Sequence, residues 1–270
     1  MKPFVKWVGG KTQLLDILTS KIPKQFNNYY EPFVGGGALF LSIQPKKATI
    51  NDINPYLCNV YKQIRNNPKK LIIELENLDK IKCDKLLFYK RREIFNNIKN
   101  KDTVDSAALF IWVNKHCFNG IYRENSSGDF NVPYNNKITG NSYDENNILN
   151  VYKLLINNKI SILCGDFERA CKNAKKNDFI YFDSPYILNN NKLKGMYYSY
   201  GTFDEKDHIR LANLYKSLDK KGVKMMLSNS NDKVVKKLYN DFNIETINIK
   251  RYINSVGSNR KDKEVIITNY

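Results

Sequence analysis

The sequence predicts an α/β protein with a doubly wound, mostly parallel sheet, interrupted by a helical insert. Short apolar runs near residues 29–34, 48–50, 160–164, 179–182 and 224–228 end in polar or glycine-rich turns, and segments of helical spacing separate them. Between the second and third of these runs, residues 56–143 lose the alternation and become mostly helical. The last stretch, residues 247–270, has the pattern of an antiparallel pair closing the sheet. The predicted organisation is therefore a core of residues 1–55 and 144–270, with residues 56–143 as a recognition insert.

Composition restricts the partner. The chain has 270 residues, and 44 Lys and Arg against 27 Asp and Glu give a net charge of +17. Such an excess favours a polyanion, most simply nucleic acid, because neutralising phosphates releases counterions whatever the base sequence. An anionic membrane surface is the competing partner, but no stretch joins a basic face to a sustained apolar one. The apolar run 107–113 is far too short to span a bilayer, and the N-terminus lacks the apolar core of a signal peptide, so an intracellular protein is expected. Five cysteines, Cys58, Cys83, Cys117, Cys164 and Cys171, contain no C-x-x-C pair. With only His116 and His208 besides, neither a disulfide framework nor a metal site is expected.

Taken in order, residues 4–18 give an apolar segment, a glycine turn and the helical spacing of Leu14, Leu15 and Leu18. Gly10-Lys11-Thr12 resembles the end of a phosphate-binding loop, but Val5 stands where that loop needs its first glycine. Residues 29–40 then form a strand, the turn Gly35-Gly36-Gly37 and a helix start, the arrangement in which dinucleotide-type folds bring backbone close to a ligand. Asp52 ends the second strand, near the spacing at which an acid meets ribose hydroxyls; the alternative is that it caps the helix beginning near Pro55. Helices are expected near residues 68–78, 84–98 and 103–118. Residues 118–134 break the helical period, and Ser127-Gly128-Asp129 marks the tip of a hairpin or extended loop carrying Arg, Asn and aromatic side chains suited to reading bases. The α/β pattern resumes with a helix at 144–155, the strand ending before Gly165-Asp166-Phe167, and the strand ending at Asp183.

Asp183-Ser184-Pro185-Tyr186 is where the chemistry concentrates. A carboxylate and an aromatic at the carboxyl end of a buried strand stand where ligands bind in open α/β sheets, although Asp and Pro are also ordinary turn residues. Combined with a glycine turn and a ribose-type acid, the tetrapeptide suits methyl transfer from S-adenosylmethionine to an amino group. An exocyclic amine of a base is a poor nucleophile because its lone pair is delocalised. Two acceptors aimed at its hydrogens, the Asp183 carboxylate and the Ser184 carbonyl, would free that lone pair, while Pro185 fixes the turn and Tyr186 stacks on the base. Since the amine lies inside a duplex, the base must be flipped out.

On Lys6-Trp7-Val8-Gly9-Gly10-Lys11, Glu31 to Gly37, residues 118–134, Asp183 to Tyr186 and the Ser, Arg and Lys of residues 255–261, the chain resembles the Dam-type adenine-specific DNA methyltransferases. The resemblance implies a Rossmann-like S-adenosylmethionine-dependent core with a helical DNA-recognition domain and a β-hairpin, acting on double-stranded DNA, with S-adenosylhomocysteine as product and no metal. It implies Trp7, Lys11, Phe33, Gly35, Gly37, Asp52, Asp166, Phe167 and Asp183 around the cofactor. Lys6, Phe118, Asn119, Ile121, Arg123 and Asn125 would meet DNA, with Phe118 entering the stack beside the flipped base, and GATC is the target implied by the hairpin. A cytoplasmic enzyme of a bacterial nucleoid or a phage is expected, monomeric in solution, with dimerisation on DNA left open. Ser184 departs from the family's D-P-P-Y pattern: it loses proline's rigidity and adds a hydroxyl able to compete for hydrogen bonds, so lowered activity is expected. Carbon-5 cytosine methylation is excluded because no cysteine follows a proline. An amino-cytosine methyltransferase and a DNA-binding protein with weak or no activity stay as alternatives, and duplex RNA fits a groove-reading hairpin poorly.

Overall fold

A computed structural model describes residues 1–137, 140–186, 203–250 and 261–270. Its strands are β1 (Tyr29–Glu31), β2 (Lys47–Asp52), β3 (Lys159–Cys164), β4 (Phe179–Phe182), β5 (Lys224–Ser230), β6 (Asn243–Lys250) and β7 (Lys261–Thr268). They form one sheet of order β3-β2-β1-β4-β5-β7-β6, parallel through the first five, with β7 antiparallel to both neighbours. The doubly wound expectation holds. The C-terminal pair is antiparallel as expected, and β7 enters between β5 and β6. Residues 255–260 of the tail loop lie outside the described residues.

The central strands are apolar because both faces are covered. In β4, Phe179 and Tyr181 point into one core with Tyr29, Met226 and Ile266, while Ile180 and Phe182 point into the other with Tyr30, Met225 and Leu227. The second core is closed by α8 (Phe167–Cys171), α9 (Glu205–Lys220) and α10 (Lys233–Leu238). The first is larger. It runs through α1 (Leu15–Ser20), α2 (Ala38–Ile43), α3 (Pro55–Asn66) and α7 (Glu145–Asn157), and continues without a break into α4 (Pro68–Asp79), α5 (Lys85–Ile98) and α6 (Val104–His116). The apolar run 107–113 is the middle of α6, buried on every side by its neighbours. Among the described residues no helix is long and apolar enough to cross a membrane.

Local chemistry sets the helix starts. Asn54 accepts from the backbone N–H groups of Tyr56 and Leu57, with Pro55 at the first position of α3; Asp84, Thr103, Asp144 and Asp232 cap α5, α6, α7 and α10 in the same way. Asp204 and Asp207 form a reciprocal capping box on α9.

Three loops converge at the carboxyl ends of β1, β2 and β3, and buried Asn51 ties them together. Its Nδ2 donates to the carbonyls of Pro32 at 2.9 Å and Gly165 at 2.8 Å, while its own carbonyl accepts from Val34 N at 2.8 Å. Asn51→Ala strands two buried carbonyls. We expect a loss of about 1–3 kcal/mol of stability in urea unfolding, with an unchanged urea dependence.

Candidate active site

The parallel sheet changes winding direction between β1 and β4, and a cleft of about 810 Å³ opens at their carboxyl ends. It is lined by the predicted cofactor residues Trp7, Lys11, Phe33, Gly35, Gly37, Asp52, Asp166 and Phe167 and by Asp183, Ser184, Pro185 and Tyr186. Lys6 and Asn119 also reach it, whereas Phe118, Ile121, Arg123 and Asn125 do not.

At the floor, Lys11 Nζ lies 2.6 Å from Asp183 Oδ1, donates to the Gly9 carbonyl at 2.7 Å, and sits 5.0 Å over the Tyr186 ring. Lys11 is buried, and Asp183 keeps 19% of its side-chain surface open to the cleft. Burial pushes the Asp183 carboxyl up to about 6, against the downward pull of Lys11. Glu31, at the end of β1, is more deeply enclosed: burial pushes it up to about 8, with a donated bond from Tyr29 Oη at 2.6 Å opposing and the Asp183 charge adding. Of the two, Asp183 is thus held nearer the ionised form and Glu31 nearer the protonated one. Ser184 is buried, and its Oγ accepts from Asn229 Nδ2 at 3.1 Å.

On the other wall, Asp52 accepts from Gly35 N and Asn54 N, each at 2.9 Å. Asn54 is the helix cap, so Asp52 serves the glycine turn instead. Burial pushes its carboxyl up to about 6, with these backbone donors opposing. Gly35, at φ +49°, lies against the Trp7 indole, where a Cβ would stand 2.7 Å from Cδ1. Phe33 stacks on Phe167, the centroids 5.3 Å apart. Asp166 caps α8 and pairs with Arg210 at 2.9 Å.

The predicted hairpin is present as a loop with antiparallel bridges between Cys117 and Tyr134 and between Glu124 and Phe130. Phe118 is half exposed, Asn119 takes φ +54°, and Arg123 Nε donates to Asn131 Oδ1 at 2.7 Å. The Oδ1 of Asn125 accepts from Ser127 N and Asp129 N and so builds the tip. Ile121 packs against the core, and Lys6 covers Gly120. Sequence reasoning passed over Asn114, whose Nδ2 donates to the carbonyls of Lys6 at 2.9 Å and Gly120 at 3.0 Å, joining hairpin to cleft. It also assigned no role to Glu31 or Asn229. The signal used for Asp183, a polar residue ending an apolar strand, was available for both.

The model of the D12 class N6 adenine-specific DNA methyltransferases matches residues 7–253. The chain belongs to this family. The Type II methyltransferase M.MjaIII of Methanocaldococcus jannaschii is 44% identical over 289 residues, covering 100% of this chain and 99% of its own. The Type II methyltransferase M1.LlaDCHI of Lactococcus lactis is 40% identical, covering 100% and 96%. The DNA adenine methylase of Haemophilus influenzae is 30% identical, covering 98% and 92%. As a D12 class enzyme the chain takes S-adenosylmethionine as methyl donor and DNA as substrate. The cleft fits such a donor, combining stacked ring faces at Phe33 and Phe167, the buried Asp52 carboxylate and the Lys11–Asp183 pair. Among the described residues no group of His, Cys, Asp and Glu could hold a metal ion.

The Asp183 carboxyl, raised to about 6, is the stronger acceptor, with no hydrogen of its own to donate, when ionised. Single-turnover methyl transfer at saturating cofactor should therefore fall as pH drops through about 6. Lys11→Met removes the attraction that opposes burial, so this acidic limb should move to higher pH. A limb unmoved by Lys11→Met would show that another group controls it.

Proposed function

We propose that the chain methylates the N6 amine of adenine within a short duplex site, GATC, after flipping the base out of the helix. The observation that carries this is the depth of Asp183. That this carboxylate lines the cleft with only 19% of its side-chain surface open favours an amine swung out of the duplex over one still stacked in it. The donor, when bound, supplies a methyl group carried on a positively charged sulfur. Asp183 and the Ser184 carbonyl accept the two amine hydrogens and localise the nitrogen lone pair; Asp183, with its raised pKa, takes the proton that the nitrogen loses. Pro185 shapes the turn and Tyr186 stacks on the base.

Residues 56–143 act as the recognition insert. Half-exposed Phe118 fills the space left by the flipped base, Arg123 reads a base edge, and Lys6, Asn119, Ile121 and Asn125 meet the duplex around it. Trp7, Lys11, Phe33, Gly35, Gly37, Asp52, Asp166, Phe167 and Asp183 surround the donor. GATC is supported by the hairpin's likeness to those that read a GAT core. The Type II names of two relatives support the modification half of a restriction-modification pair.

Duplexes incubated with the enzyme and labelled S-adenosylmethionine should carry label on the adenine of GATC. Adenine label in another sequence would replace GATC, and label on cytosine would overturn the reading of the base. Asp183→Ala should slow transfer by about two orders of magnitude or more while duplex binding survives. Arg123→Ala should relax sequence choice; a uniform loss over all sequences, with a shallower salt dependence, would make it a phosphate contact.

A further inference from the structure

We infer that Asn229 is a positioning residue for methyl transfer, holding the catalytic turn through the Ser184 hydroxyl where a proline ring would otherwise hold it. This role rests on the reading above in which the Ser184 carbonyl is one of the two amine acceptors.

The parallel pairing of β4 and β5 ends with Phe182 opposite Leu227. Two residues further along each strand come Ser184 and Asn229, and in a pleated pair positions i and i+2 share a face. The side chains carry the pairing on where the ladder stops: Asn229 Nδ2 donates to Ser184 Oγ at 3.1 Å, with both residues almost fully buried. The orientation of the amide is fixed from its other end, because Asn229 Oδ1 accepts from Ser230 N at 2.8 Å. On the opposite face, the Tyr181 hydroxyl and Ser228 Oγ lie 2.9 Å apart, tying the same two strand ends. A serine alone leaves this turn freer than a proline and brings a hydroxyl that competes for main-chain groups. Bonded to Asn229, that hydroxyl becomes the tether. The carbonyl on the same residue is then fixed relative to Asp183, and small misplacements of a reacting group are costly in rate.

The test is a mutant cycle read by single-turnover transfer to duplex DNA, with S-adenosylmethionine affinity, duplex affinity and thermal unfolding followed in parallel. Asn229→Ala and Ser184→Ala should each slow transfer about tenfold with both affinities unchanged, and the double variant should be no slower than either. Ser184→Pro supplies the ring, so adding Asn229→Ala to it should leave the rate where Ser184→Pro sets it. Equal slowing by Asn229→Ala with and without Ser184→Pro, additive losses, no slowing, or a loss of cofactor affinity or of the folding transition would each overturn the inference. Transfer that survives Asp183→Ala would instead overturn the amine clamp itself, whatever the cycle shows.

Discussion

Two carboxylates and one ammonium share the floor of the cleft, and the cost of taking them out of water decides how the site is charged. Lys11 can satisfy one buried anion but not two. It lies 2.6 Å from Asp183, which remains partly open to the cleft, while Glu31 behind it is closed in by Tyr29. The carboxyl pushed up to about 8 is therefore Glu31, and the one that stays nearer the ordinary range, at about 6, is Asp183. The ion pair with Lys11 therefore falls to Asp183. Desolvation thus weighs less on the carboxylate at the end of β4 than on the one at the end of β1, beside the glycine turn.

That floor is held in place by α6 and the hairpin as much as by the sheet. Trp7, two residues before the glycine turn that leads to Lys11, stacks on Tyr122 of the hairpin at 6.3 Å and lies 6.2 Å from Phe110 of α6. Asn114 bonds the backbone of Lys6 and Gly120 together. Farther out, Asn96 of α5 donates to and accepts from the backbone of Phe130, acting as a missing strand, and buried Lys99 pairs with Glu124 at 3.2 Å. These bonds are partly or fully buried, and they flank one continuous apolar core. A loop attached this way has little freedom to move independently of the residues that line the cleft.

The parallel strands were legible because burial on both faces leaves an almost pure apolar run, and the run of helices between β2 and β3 was legible because the strand-to-helix alternation stops there. The place of β7 was not. An antiparallel pair has the same period whether its first or second strand joins the sheet, and only the tertiary register, Leu227 opposite Ile267, makes the choice. Asp183 and the glycine turn stood out by residue type at a strand end. Asn51 and Asn114 did not, because each works through a partner far away in sequence and asparagine is common throughout this chain. In the hairpin, the resemblance implied that Asn125 meets DNA, and the structure adds that its Oδ1 builds the tip of the loop.

The pleat of β4 explains how so short a turn presents two acceptors at once. Tyr181 belongs to the core that also holds Leu18 of α1, and Phe182 to the opposite core with α9 and α10. Continuing that alternation turns Asp183 toward Lys11 and Ser184 toward Asn229, and the two observed contacts have this disposition. A carboxylate needs an opposing charge to stay ionised in such surroundings, whereas a main-chain carbonyl needs only a fixed backbone. The cation therefore sits on one side of the turn and the neutral amide on the other. Exchanging them would leave Asp183 without its counter-ion and would set an uncompensated ammonium among Phe182, Leu227 and their neighbours, which is why the polarity of the site follows from the face on which each strand residue lands.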